Sequence, residues 1–173
     1  MSKRLQPDFY FDSVFSISPS FLFDHGIKAV ILDIDNTLVP ANEKLPSEQA
    51  RLWVSELKSN KIAVMIASNN TKKRVSVFAD PLDIPYVSEC LKPSKKPVIT
   101  ACTLFGLKPS EIAVIGDQVF TDIGSARNGG ALAILTKPIN NTENPFVKLK
   151  RAAERPIVKD FIKNNKDKCF GKE

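Results

Sequence analysis

The 173-residue chain carries 25 Lys plus Arg against 19 Asp plus Glu, a formal charge of +6, and 43% of its residues are apolar. Those values suit one compact domain with a substantial core and argue against intrinsic disorder. No run approaches the ~20 apolar residues of a membrane-spanning helix, and the opening MSKRLQPDFYFDS has neither the apolar segment nor the small-residue cleavage site of a secretory signal.

Cys90, Cys102 and Cys169 are scattered without C-x-x-C spacing, so neither a disulfide framework nor a structural zinc site is indicated. An organellar leader would be rich in Arg and poor in acids, whereas this N-terminus holds Asp8 and Asp12; the expected compartment is the cytoplasm. The charge is uneven. From Lys137 onward there are ten basic and five acidic side chains, net +5, which leaves net +1 for the first 136 residues. Such a tail suits an anionic membrane surface, a nucleic acid or an acidic protein, and equally a solvated helix face. No RNA-reading motif or basic-aromatic array singles out nucleic acid.

In chain order, the aromatic-rich FYFDSVFSISPSFLF lacks a sustained helical period and reads as a segment packing across the domain, the alternative being an apolar membrane-contact patch. Residues 29–39, AVILDIDNTLV, begin as a buried parallel strand and turn acidic where such a strand emerges at its carboxyl edge. Ala50, Trp53, Val54 and Leu57 recur at helical spacing, and IAVMIA at 62–67 is a second strand ending in Ser-Asn-Asn. A short helix is expected over 71–79, a weaker strand over 84–87, and a helix over 98–105 stopped by Gly106. IAVI at 112–115, a short helix reaching Gly129, and ALAIL at 131–135 complete the alternation. Residues 144–168 are amphipathic but interrupted by Pro156, which predicts a broken helix docked on the sheet. Strands alternating with helices imply right-handed crossovers and a mostly parallel α/β sheet covered on both faces; strand order is not given by this pattern.

Chemistry concentrates at the strand ends. Asp33 and Asp35, two residues apart, project to one side while strand geometry persists. Carboxylates there can hold a divalent cation or divide nucleophilic and acid/base work. Ser68 and Asn69 follow the second strand, Asp117 and Asp122 the fourth, and these ends can share one crevice. Clustered carboxylates need compensating cations; a metal and the lysines Lys92, Lys95 and Lys96 of LKPSKKP can supply the charge and neutralise a phosphate.

Asp33-Ile34-Asp35-Asn36-Thr37-Leu38, Ser68-Asn69, Lys92-Pro93 and Gly116-Asp117 through Asp122 resemble, in order, the four motifs of the haloacid dehalogenase superfamily of aspartyl-phosphate phosphatases. The longer strings LDIDNTLVP and GDQVFTDI, with FDSVFSI and Gly26-Ile27-Lys28, resemble the subfamily IIIA YqeG type, which is similar to phosphatidylglycerophosphate phosphatases. The resemblance implies a Rossmann-like fold without a large cap domain, since neither the Pro40–Leu45 segment nor the stretch between Ser68 and Lys92 has room for one. The whole chain, 1–173, is then one uncapped phosphatase domain, with 1–28 a packing segment and 137–173 a basic helical one.

The resemblance further implies Asp33 as nucleophile and Asp35 as proton carrier. Mg²⁺ would be held by Asp33, the Asp35 backbone carbonyl and Asp117, with Asp122 in or just behind that shell. Thr37, Ser68, Asn69 and Lys92 would position the loop and the phosphoryl oxygens. Lys92-Pro93 is preferred over Lys96-Pro97 as the third motif because it stands 24 residues before Gly116. The expected substrate is phosphatidylglycerophosphate, with the basic tail in peripheral contact with an anionic membrane; the alternatives are a soluble metabolite or protein phosphate, or a noncatalytic RNA- or protein-binding module.

Overall fold

The computed structural model describes residues 5–140 and 145–171. Its strands are β1 (Phe9–Phe11), β2 (Ala29–Leu32), β3 (Ala63–Ala67), β4 (Tyr86–Val87), β5 (Ile112–Gly116), β6 (Leu132–Thr136) and β7 (Cys169–Phe170). The helices are α1 (Pro19–Asp24), α2 (Glu48–Ser59), α3 (Lys72–Ala79), α4 (Lys96–Phe105), α5 (Gly124–Gly129) and α6 (Pro145–Asn164). The sheet runs β4-β3-β2-β5-β6-β1-β7, and every ladder among the described strands is parallel.

Alternation along the buried strands sends successive side chains to two cores. Val30, Leu32, Val64, Ile66 and Ile115 meet Trp53, Val54 and Leu57 of α2 and Val75 and Phe78 of α3. On the other face Ile31, Met65, Val114 and Leu135 meet Val98 and Ala101 of α4, Ala126 of α5, and Ile157 and Val158 of α6. Helix starts follow local chemistry: Ser47 accepts from the Ala50 amide ahead of α2, and Thr71 accepts from the Arg74 amide ahead of α3. Gly106 ends α4 in the left-handed conformation at φ 65°, which suits glycine.

The expected five strands and their intervening helices are present, and the N-terminal segment packs as expected, with Phe11, Val14, Ile17 and Leu22 buried. It also contributes a strand of the sheet, lying between β6 and the edge strand β7, which its aromatic composition did not reveal. Asp8 secures that strand: its amide reaches the Ala133 carbonyl at 2.7 Å, and its carboxylate accepts from the Ala133 amide and from two nitrogens of Arg127. The expected break at Pro156 does not occur. One helix runs through it, because buried Glu154 on one side and Ile157, Val158 and buried Phe161 on the other anchor both halves, offsetting the one backbone hydrogen bond that proline removes. The expected first residue of that segment, Asn144, lies outside the described residues. Among the described residues no helix is long and apolar enough to cross a membrane, and no large cap domain is inserted.

The order has a reversal at its centre: from β2 the chain moves outward through β3 and β4, then returns to β5 on the other side of β2. A crevice outside the carboxyl ends of β2 and β5 follows from that reversal, and it is where open α/β sheets bind ligands. Leu57, fully buried on α2, tests the core that holds this geometry. Leu57→Ala is expected to cost about 2–5 kcal/mol, read as a lowered urea midpoint with an unchanged slope.

Candidate active site

The first acidic residue is placed by the sheet itself. Asp33 follows β2, and its amide donates to the Ile115 carbonyl at 3.0 Å, continuing the β2·β5 ladder one step past the strand. The chain then folds back, with the amides of Thr37, Leu38 and Val39 all donating to the Ile34 carbonyl. Asn36 sits at φ 63°, a left-handed conformation that Asn tolerates better than most residues. This turn buries Thr37 and aims its hydroxyl at Asp117, donating to Oδ1 at 3.3 Å.

Asp117 follows β5, and the chain next makes a π-helical turn over Val119–Ile123 that returns Asp122 to the strand end. Gly116 permits this return: a Cβ there would lie 2.3 Å from the Asp122 Cγ, well inside any tolerable contact. Asp122 Oδ2 also accepts from the Gln118 amide at 3.1 Å. Lys92 comes from the loop after β4, held by Asn69, whose Oδ1 accepts from the Lys92 amide at 2.7 Å and whose Nδ2 donates to the Lys92 carbonyl at 3.3 Å.

The Lys92 ammonium lies between two carboxylates. Its Nζ is 2.6 Å from Asp33 Oδ1, 2.6 Å from Asp122 Oδ1 and 3.0 Å from the Ala67 carbonyl, so its three N–H donors meet three acceptors. Those two anions raise the pKa of Lys92 against the opposing effect of its burial, and it stays protonated. Burial pushes the Asp33 carboxyl up to about 8; Lys92 opposes this, while Asp122 and Asp117 add to it. Burial likewise raises Asp117 to about 6 against the pull of the Arg151 guanidinium.

One carboxylate oxygen from each of Asp33, Asp117 and Asp122 can be chosen so that all lie within 4.8 Å of one another. The donor set is all hard oxygen, and three carboxylates face two cations, Lys92 and Arg151. Both features fit a divalent cation.

Asp35 points elsewhere. Its Oδ1 accepts from Arg74 at 2.7 Å and its Oδ2 from Asn70 at 2.5 Å, so its carboxylate is outside the three-aspartate cluster. Arg74 also donates to the carbonyls of Glu43 and Lys44, tying the segment after the first motif to α3. Ser68 is buried at the end of β3, with its Oγ accepting from the Asn70 amide at 3.2 Å.

Asp33, Asp35, Ser68, Asn69 and Lys92 share a cavity of about 360 Å³ whose remaining wall includes Phe146, Val147 and Lys150 of α6. A larger cavity of about 730 Å³ adjoins the far side of the Thr37–Pro40 turn but is lined by none of the motif aspartates. Lys95 and Lys96, both exposed at the start of α4, do not line the 360 Å³ cavity. Thr37, Asp117 and Asp122 stand behind it as partners of one another or of Lys92.

The basic tail contributes more than docking. Val147, Lys150, Arg151 and Glu154 recur at the spacing of one helix face. Val147 and Lys150 line the cavity, Arg151 pairs with Asp117 Oδ2 and donates to its carbonyl at 3.1 Å, and Glu154 accepts from the Phe120 amide at 2.8 Å. Asn70, Arg74, Lys150 and Arg151 were not singled out from sequence. The i, i+3, i+4, i+7 pattern of α6 was present as a signal, but a charge pattern alone reads as a solvated face.

The family model for haloacid dehalogenase-like hydrolases matches residues 41–130. The chain is 33% identical over 158 residues to the probable phosphatase YqeG of Bacillus subtilis, covering 91% of this chain and 92% of that one. Over 73 residues it is 37% identical to the chloroplastic/mitochondrial phosphatidylglycerophosphate phosphatase 1 of Arabidopsis thaliana, covering 40% of this chain and 21% of the plant protein. Among solved structures, the cobalt-bound deoxy-D-mannose-octulosonate 8-phosphate phosphatase of Haemophilus influenzae shares the fold at a TM-score of 0.55 and 16% identity, over 80% of this chain and 93% of that one. The corresponding Yersinia pestis phosphatase does so at 0.52 and 18%, over 80% and 82%.

Gly116→Ala is expected to displace Asp122 and weaken divalent-metal binding on the order of tenfold or more, measured by manganese titration. Burial raises Glu154 to about 7 from its ordinary 4.5. A folded-state pKa above the unfolded one means a contribution to stability that is whole below the unfolded value and is lost as pH rises through the folded value. In metal-free buffer, the urea midpoints of wild type and Glu154→Gln should therefore draw together below about pH 4.5. The wild type should fall behind the variant as pH rises through about 7, and parallel profiles would count against this reading.

Proposed function

Because this chain belongs to the haloacid dehalogenase-like hydrolases, in the YqeG type of subfamily IIIA, and is thereby an aspartate-dependent phosphomonoester hydrolase, we propose that it removes the terminal phosphate of phosphatidylglycerophosphate to leave phosphatidylglycerol. The observation that carries the chemistry is the cluster of Asp33, Asp117 and Asp122, the first and last sharing one buried ammonium, with Asp33 opening onto the cavity. The substrate reading is supported by likeness to the plant lipid phosphatase and by a cavity without a cap domain above it. Exposed Phe146 and Leu149 beside the cavity, with Lys148 and Lys150 between and after them, suit a phosphate presented at an anionic bilayer.

In this mechanism the carboxylates of Asp33, Asp117 and Asp122, with the Asp35 backbone carbonyl that the family resemblance adds, would hold Mg²⁺. When bound, that ion offsets the repulsion between the anionic nucleophile and the phosphoryl oxygens. An Asp33 oxygen attacks phosphorus as the bond to the leaving alkoxide breaks, giving an aspartyl phosphate. Asp35 gives its proton to the leaving oxygen, then takes one from the water that attacks the aspartyl phosphate, returning both residues to their starting states. Arg74 and Asn70 engage both oxygens of Asp35, and Asp35 exchanges these contacts for the leaving oxygen and the water during the transfers. Ser68 and nearby amides receive phosphoryl oxygens, while Thr37 orients Asp117. Lys92 fixes Asp33 and Asp122 and supplies the positive charge that the transition state needs. Asn69 positions Lys92 through its backbone, and Arg151 does the same for Asp117.

Asp33→Asn is expected to lower phosphate release on the order of 10⁴-fold or more and to abolish phosphoenzyme trapping; phosphate trapped on Asp35 in that variant would overturn the assignment. Chelation should abolish turnover and added Mg²⁺ should restore it. Lys92→Ala is expected to collapse activity while Lys96→Ala keeps it, checked on folded protein. Phosphatidylglycerophosphate in mixed micelles, assayed beside soluble sugar, nucleoside and protein phosphates, tests the substrate. Preference for a soluble ester across several detergents would replace the lipid reading with a soluble one.

A further inference from the structure

The cavity that holds Asp33 is lined by two lysines, and they are committed differently. Lys92 is saturated by Asp33, Asp122 and the Ala67 carbonyl. Lys150, half-buried on α6, has no ion-pair partner among the described residues; its Nζ lies 5.6 Å from the centroid of the Phe146 ring, which lines the same cavity. The adjoining carboxylate of Asp35 is engaged by Arg74 and Asn70. Arg151, the next residue along, is turned to Asp117.

The face of α6 therefore divides its work. Arg151 and Glu154 dock the helix against the carboxylate cluster and the turn behind it, and the docking presents Lys150 to the cavity one residue earlier. A cation in a cavity with an aromatic ring beside it and no carboxylate partner among the described residues is poised to meet an anion from the ligand. The charge of a phosphoryl group delivered to Asp33 falls beside Lys92 and the carboxylate cluster that would hold a cation, which leaves Lys150 for a second anion.

We propose that Lys150 is a specificity-determining residue that binds a second anionic group of the substrate, one separate from the phosphoryl group being cleaved, so that α6 does the substrate selection that a cap domain would otherwise do. The ligand class is a phosphomonoester bearing a further phosphodiester or phosphate a few bonds away. This rests on the phosphatase reading above and deepens it.

The test uses two soluble esters: glycerol 3-phosphate, and glycerophosphoglycerol phosphate, which adds a phosphodiester and the uncharged glycerol it carries. Steady-state kinetics of the Mg²⁺-loaded full chain should show that Lys150→Ala raises KM for the two-anion ester about tenfold more than for glycerol 3-phosphate, the size expected for one charge-assisted contact, with kcat changing little between them. Lys150→Arg should restore most of the difference.

Calorimetric titration of both esters into Asp33→Asn, with and without Lys150→Ala, reads binding apart from turnover. If the two-anion ester keeps its full advantage in Lys150→Ala, by KM or by calorimetry, the inference is overturned while the phosphatase reading stands. If neither ester is turned over by wild type but calorimetry still shows a Lys150-dependent preference, the inference on binding stands and the phosphatase reading fails. Absence of that preference in both wild type and Asp33→Asn overturns the role of Lys150.

Discussion

A buried ammonium shared by two carboxylates is the constraint around which the rest of the site is arranged. Lys92, Asp33 and Asp122 come from three separate connections of the sheet, and each is buried. An unpaired charge in such a place would be strongly unfavourable, while a fully hydrogen-bonded trio is tolerable. The chain therefore has to bring the β2 end, the β4–α4 loop and the β5 end together at once. It does so with specific local devices: Asn69 clamping the Lys92 backbone from both sides, and Gly116 leaving the space that Asp122 fills.

The same charge balance explains why the site can accept both a cation and an anion. Three carboxylates against Lys92 and Arg151 leave negative charge in excess, which draws a divalent ion. Once an ion is held, the cavity in front of Asp33 becomes hospitable to a phosphoryl group that the bare carboxylates would repel. Asp35 stands outside this balance because Arg74 and Asn70 take both of its oxygens. The two aspartates of the first motif, alike in sequence, thus occupy electrostatically different places: Asp33 beside a buried lysine and two other aspartates, Asp35 beside an arginine.

The C-terminal helix links the fold to the site. On the side facing the sheet, Ile157 and Val158 join the second core; on the side facing the strand ends, Arg151 and Glu154 reach Asp117 and Phe120. Helix position and site geometry are therefore coupled through buried polar contacts. The basic character of the tail, which by composition alone suits any anionic partner, acquires a particular geometry: one cation spent inward on Asp117, and one presented to the cavity.

The sequence by itself determined the parallel α/β class, the places where strands end, and the residue types at those ends, because a buried strand is a local apolar run and the catalytic motifs sit in the few residues that follow it. Asp33, Asp35, Ser68, Lys92, Asp117 and Asp122 stand out as candidates in the sequence for that reason. Tertiary structure alone decided the order β4-β3-β2-β5-β6-β1-β7, the addition of β1 and of the edge strand β7, and the unbroken course of α6 through Pro156. It also decided the pairings of Arg74 with Asp35 and Arg151 with Asp117. Each of these depends on contacts between segments tens of residues apart, and a three-residue strand, a helix proline or a surface-type arginine carries no local pattern that names its distant partner.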